Sequence, residues 1–168
     1  ALGVIKMVAQ NIETAVTNGS DIEARSQMLL ASHIAGVGFS HTGLGLVHGI
    51  GHALGGGFNI PHGNALCIVL EEVLKYNLPV RTERLADVAF ALGVGTTEKD
   101  ASANAEAAIS KISQLVESVG LKATLSDYKI TEADLDSLAE TTLADAVTIN
   151  NPQQPSHQDV VLIMKKVL

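Results

Sequence analysis

Apolar residues recur three and four positions apart along nearly the whole chain, and alternation over more than four residues is hard to find. That period belongs to the α-helix, whereas a half-buried strand needs a period of two. The punctuation agrees with it. Asn18-Gly19 stops a first helix that starts at Ala1 and reaches about Thr17. Ser20-Asp21-Ile22-Glu23 fits a capping box opening a second helix to about Phe39. Between Gly43 and Gly57, Leu44, Val47, Ile50 and Leu54 keep helical spacing within a glycine-rich run. Each glycine costs up to about 1 kcal/mol relative to Ala in a helix interior, so something besides local propensity must hold this segment. Pro61 precedes a helix from His62 to about Tyr76, and Thr82–Leu92 forms another, ended by Gly93-Val94-Gly95. The longest predicted helix spans Thr97 to Val119, Thr131 caps one reaching about Ala146, and Ser156-His157-Gln158-Asp159 caps the last, to Leu168. With no linker and no internal repeat in 168 residues, the expectation is one all-α bundle of seven to eight helices.

The core must be filled almost without rings, since aromatics are 3% of the chain and Trp is absent. Closely packed helices with Ala at their contacts meet that condition. A net charge of −7 with no basic cluster argues against a nucleic-acid partner, which requires clustered Lys and Arg. Cys67 is the single cysteine, which cannot form an internal disulfide and points to the cytoplasm; it is read as a small apolar residue with no basic neighbour to activate it. No apolar stretch reaches the roughly 18 residues of a membrane span, and no signal peptide is visible. Ala1 already reads as helix, which suggests a start inside a larger structure.

Five of the six histidines lie between His33 and His62. His48 and His52 are four apart, which on a helix places their Cβ atoms roughly 5–6 Å apart on one face. His62 follows a turn built from Gly55, Gly56, Gly57 and Asn59, a hairpin able to return it beside His48. Neutral imidazole is a good ligand for Fe, Zn and similar divalent metals. A lone i, i+4 histidine pair is a weak signal. Here it is joined by a costly glycine-rich helix, a tight turn and Pro-His-Gly at a helix start. The metal set is incomplete, because the hairpin contains no Asp or Glu. Gly49-x-Gly51-x-x-x-Gly55 has the wrong spacing for a dinucleotide loop and no strand leads into it. His33 and His41 are read as helix-surface or core residues, His157 as chemically idle, and the acidic residues from Glu132 to Asp145 as a solvated face.

The run from Gly43 through His48-Gly49-Ile50-Gly51-His52 to Gly56, followed by Ile60-Pro61-His62-Gly63, closely resembles the signature of the iron-containing alcohol dehydrogenases. Met28-Leu29-Leu30-Ala31-Ser32, Tyr76-Asn77 and Asn151-Pro152 resemble further landmarks of that family. Ala53, Leu66 and Glu71 depart from it, standing where Pro, Asn and Pro are common. The resemblance implies the helical C-terminal domain of a two-domain enzyme, with the N-terminal α/β domain that binds NAD or NADP absent from this chain. It assigns His48 and His62 as metal ligands, Fe(II) being the usual metal and Zn or Ni alternatives, and His52 as a catalytic histidine relaying the alcohol proton. The other two ligands, an Asp and a His four residues apart, would come from a segment upstream of Ala1. The implied reaction interconverts a small alcohol or diol and its aldehyde, the metal stabilising the alkoxide. The isolated 168 residues are then expected to be inactive.

Two other readings stay open. Glycerol dehydrogenases and dehydroquinate synthases share the two-domain plan but resemble Val47–Gly63 less well. A non-catalytic metal-binding or interaction domain, the product of a split or decayed gene, would also fit; such a stand-alone protein would keep a tightly bound metal on two ligands or supply others by self-association into a homo-oligomer.

Overall fold

The structure, a computed structural model, describes residues 1–168. It contains seven α-helices and no strand: α1 Leu2–Thr17, α2 Ile22–Thr42, α3 Leu46–Phe58, α4 His62–Ala91, α5 Ala101–Ser118, α6 Leu135–Ala144 and α7 His157–Lys165. Three short 3-10 turns accompany them, at Ser126–Tyr128, Glu132–Asp134 and Ala146–Asn150. The all-helical class and the number of helices agree with the expectation from periodicity. None of these helices is long and apolar enough to cross a membrane.

Local chemistry explains most boundaries. The Asn18 N–H reaches the Thr14 carbonyl at 2.8 Å and closes α1. The cap of α2 is Asp21 and not Ser20: Asp21 Oδ1 accepts from the Ala24 N–H at 2.9 Å, while Ser20 Oγ donates to Asn18 Oδ1. α2 also outruns its expected end at Phe39, stopping only before Gly43, whose φ of +74° a side chain would resist. α5 begins later than Thr97, at the Asp100 cap, because Asn104 claims residues 96–99 for a loop. Its Oδ1 accepts from the Thr96 N–H and its Nδ2 donates to the Thr96 and Lys99 carbonyls. The two helices expected at 62–76 and 82–92 form one run interrupted at Arg81, two residues after Pro79. Pro79 lacks the N–H that would bind the carbonyl four residues back. At Ser156 the expected capping box is present, with Ser156 N donating to Asp159 Oδ2 at 2.8 Å and Asp159 N to Ser156 Oγ at 3.2 Å.

The helices group into two compact units. The first holds residues 1–42 and 81–120, its core made by Ala89, Leu92, Ala108 and Leu115 with Ile5, Ala9 and Ile12 against them. The second holds residues 43–80 and 121–168. Its core gathers Leu46, Ile50 and Leu54 from α3, Val69 and Val73 from α4, Leu135 and Leu138 from α6, and Val160, Ile163 and Met164 from α7. Alanine contacts stand in for rings as expected: Ala31, Ala65, Ala89, Ala105, Ala108 and Ala139 are all 0% exposed.

What holds the glycine-rich α3 is now visible. Leu46, Ile50 and Leu54 form a fully buried stripe at spacings of four, each contributing about 1.5–3 kcal/mol by burial. That is enough to offset glycines that cost up to about 1 kcal/mol apiece. The glycines in turn permit the burial. A Cβ at Gly49 would collide with Thr148 Oγ1, and one at Gly51 would sit 2.5 Å from Leu66 Cδ2. Gly56 is different, because a Cβ there meets nothing within 4 Å. Gly49→Ala is therefore expected to lower stability by about 1–3 kcal/mol through overpacking. Gly56→Ala should raise it by up to about 1 kcal/mol through helix propensity. Urea unfolding of the two variants checks both signs.

Candidate metal centre

The hairpin that carries the histidines is built by α3, residues 59–61 and the start of α4. Asn59 takes the left-handed conformation, φ 55°, and its N–H caps the Gly55 carbonyl at 3.1 Å. Asn is among the few side-chain-bearing residues that tolerate this region. Ile60 is 3% exposed and anchors the turn in the core, and the Pro61 carbonyl accepts the first α4 hydrogen bond, from Ala65, at 3.0 Å. The reversal returns His62 to the side of α3 that carries His48 and His52. Their imidazoles form a nearly equilateral triangle. Ring centroids lie 5.5 Å apart for His48–His62, 5.6 Å for His52–His62 and 5.9 Å for His48–His52.

The other end of α3 is fixed by amides. Asn151 Oδ1 accepts from the Leu46 N–H at 3.3 Å and from Asn77 Nδ2 at 3.2 Å, and Asn151 Nδ2 returns a bond to Asn77 Oδ1 at 2.9 Å. Both asparagines are buried. Residues 77 and 151, which sequence comparison marked only as landmarks, thus meet at the N-terminus of the helix that bears His48.

His48 is half-buried, while His52 and His62 are exposed. Burial first, then repulsion from His62 and from His52, holds the His48 imidazole below its ordinary value of 6.5. Charging it would remove a cation from water next to two other rings that can also become cationic. A neutral imidazole is the state a metal requires.

Sequence reasoning missed Asp145. It was assigned to a solvated face, yet its Oδ2 lies 2.7 Å from His52 Nδ1. Its Oδ1 accepts from the Val147 N–H at 3.0 Å. These two bonds, the Val147 one foremost, hold the carboxyl below the usual carboxylate range. No local sequence signal pairs residues 52 and 145, which are 93 positions apart.

The remaining candidates fall outside this cluster. His33 and His41 are exposed on α2 in the other unit, His41 Nδ1 bonding the Val37 carbonyl at 2.8 Å. His157 lies 3.3 Å from the Asp136 carbonyl. Cys67 is half-buried and burial pushes its thiol up, which suits an unreactive apolar residue.

The His48 and His62 imidazoles suit a borderline divalent cation in donor type. In number the set is short: no group of three or more His, Cys, Asp or Glu is arranged to hold an ion. His48 and His62 therefore fit a metal as two of its ligands, with others required from elsewhere.

The depressed His48 value carries a pH dependence. Above about pH 6.5 the ring is neutral whether the chain is folded or not, and its stabilising contribution is complete. Below that value the unfolded chain takes the proton first, and stability drains away until the folded-state value is passed. Denaturation midpoints should accordingly fall on acidification below about pH 6.5. An NMR titration should find His48 protonating below that ordinary value, and one at or above it would contradict the assignment.

Comparison with known proteins identifies the family. The C-terminal model of the Fe-containing alcohol dehydrogenase family matches residues 1–168. The chain is 36% identical to the 1,3-propanediol dehydrogenase of Klebsiella pneumoniae over 99% of its own length and 43% of that protein's. It is 34% identical to the NAD-dependent methanol dehydrogenase of Bacillus methanolicus over 100% of its length and 44% of that protein's. The structure of an alcohol dehydrogenase from Oenococcus oeni superimposes with a TM-score of 0.96 at 32% identity, covering 99% of this chain and 44% of that one. The chain thus spans less than half the length of the relatives it matches, and the match is to one end of them. It belongs to the Fe-containing alcohol dehydrogenase family, as that family's helical C-terminal domain.

Proposed function

We propose that this chain supplies the metal-binding half of an NAD(P)-dependent dehydrogenase that interconverts a small alcohol or diol and its aldehyde. The carrying observation is the meeting of the His48 and His62 rings, 5.5 Å apart across the hairpin. On this reading His48 and His62 are metal ligands, Fe(II) first by family and Zn or Ni by donor type, and His52 is the proton relay. When bound, a divalent cation at these imidazoles lowers the pKa of an alcohol.

The chain's own residues do the rest. The Asn77–Asn151 pair and the buried stripe of α3 hold His48 in place, and the Asn59 turn holds His62 against it. Fixing both imidazoles before the ion arrives avoids an ordering cost on binding. His52, exposed and one helical turn beyond His48, is available to take the proton released when an alcohol is oxidised. The glycines of α3 lie inside a helix with a buried stripe, so they cannot serve as a dinucleotide loop. The hydride carrier is therefore assigned to residues beyond these 168. Relatives named for 1,3-propanediol and for NAD-dependent methanol oxidation support a small hydroxylated substrate and a nicotinamide.

The short ligand set favours a further statement: the isolated chain is a metal-binding domain without dehydrogenase activity. Metal titration followed by mass spectrometry tests the proposal. The chain should take up a divalent cation, and His48→Ala or His62→Ala should each weaken uptake by about tenfold or more, about 1.4 kcal/mol. His157→Ala should not. NADH-linked aldehyde reduction should be absent throughout. Equal uptake by wild type and the His48→Ala, His62→Ala double variant would end the proposal.

A further inference from the structure

Asp145 makes two bonds with two different oxygens. Oδ1 accepts the Val147 N–H, 3.0 Å, and caps the 3-10 turn Ala146–Asn150. Oδ2 faces His52 Nδ1 at 2.7 Å. The turn itself is tied down: Thr148 Oγ1 donates to the Thr142 carbonyl at 2.8 Å, and Asn151, just beyond it, is locked to Asn77. A cap alone needs only one oxygen, and Ser, Thr or Asn would serve as well as Asp. The second oxygen on an imidazole is what a cap does not explain.

We infer that Asp145 is a positioning residue that fixes the tautomer of His52, confining its ring proton to Nδ1 and leaving Nε2 as the free lone pair. An ionised carboxylate only accepts hydrogen bonds, so the bond at 2.7 Å requires the hydrogen to sit on Nδ1. A neutral imidazole carries one such hydrogen, and Nε2 is then necessarily the acceptor. This rests on the reading that His52 relays the alcohol proton. In the oxidising direction a nicotinamide, where bound, would accept the hydride released from the alcohol carbon. The oxygen–hydrogen bond breaks with its proton passing to Nε2. The product is an aldehyde and an imidazolium whose charge faces the Asp145 carboxylate, until the proton leaves to water. With the opposite tautomer Nε2 would already carry a proton and could not accept another.

The fork at Asp145 makes a sharp prediction for Asp145→Asn. The Val147 N–H keeps an oxygen opposite it, so the side-chain carbonyl must occupy that place. The amide NH2 then faces His52, donates to Nδ1 and drives the ring proton to Nε2. The two tautomers exchange the protonated and unprotonated nitrogens and are separated by their 15N shifts. The experiment is a long-range 1H–15N correlation on the metal-free 15N-labelled chain. It is recorded about two pH units above the ordinary imidazole value of about 6.5. Wild type should show His52 protonated on Nδ1, and Asp145→Asn should exchange the two assignments while the His48 and His62 patterns stay put.

A wild-type His52 protonated on Nε2 overturns the inference without any variant being needed. An Asp145→Asn chain with dispersed amide signals and an unchanged His52 pattern overturns it as well. Neither result depends on metal uptake or turnover. Failure of the tautomer assignment is thereby separated from failure of the dehydrogenase reading.

Discussion

The backbone of α3 approaches its neighbours more closely than any side chain would allow, and the site depends on that approach. Thr148 occupies the space a Cβ of residue 49 would need, and Leu66 the space beside residue 51. Because α3 is pressed against the 3-10 turn at 146–150 and against α4 at these points, its Leu46–Ile50–Leu54 stripe is fully enclosed. The same contact brings Asp145, the residue before that turn, within reach of His52. A helix that is poor by local propensity is thus held by its packing.

Electrostatics then sorts the three imidazoles. They stand within 6 Å of one another by ring centroid, so their protonated forms repel. His48, the most enclosed, is held below the ordinary imidazole value of 6.5, by burial first and then by the other two rings. His52 is the one ring given a carboxylate partner, and that partner is itself pinned by a backbone N–H. Residues of one type on one hairpin therefore stand in different surroundings: His48 is half-buried, His62 exposed, and His52 exposed but bonded to a carboxylate. A carboxylate that orients an imidazole also sets which of its nitrogens can act.

Much of this was legible from residue order. The period of the apolar positions required helices, and His48, His52 and His62 with their intervening glycines announced a histidine hairpin. Asn59, Pro61 and Ser156 behave as their intrinsic preferences dictate. The misjudged boundaries have a common cause. At Ser20 and Asp21 two equally good caps stood side by side, and near Thr97 a buried Asn104 took the preceding loop for itself. Past Tyr76 the helix runs on through Pro79 and is interrupted only at Arg81. Each was decided by a competitor that a short window of sequence does not rank.

Sequence alone determined the helical class, the alanine-based core, the family and the histidines that could converge, because periodicity, composition and short-range spacing are local properties. Tertiary structure alone decided that Asn77 meets Asn151, that Gly49 lacks room for a Cβ while Gly56 has it, and that Asp145 belongs to His52 and not to a solvated face. Those facts depend on which atoms from residues 74 and 93 positions apart come within a hydrogen bond's reach. Only the packing of the enclosed α3 stripe brings them there.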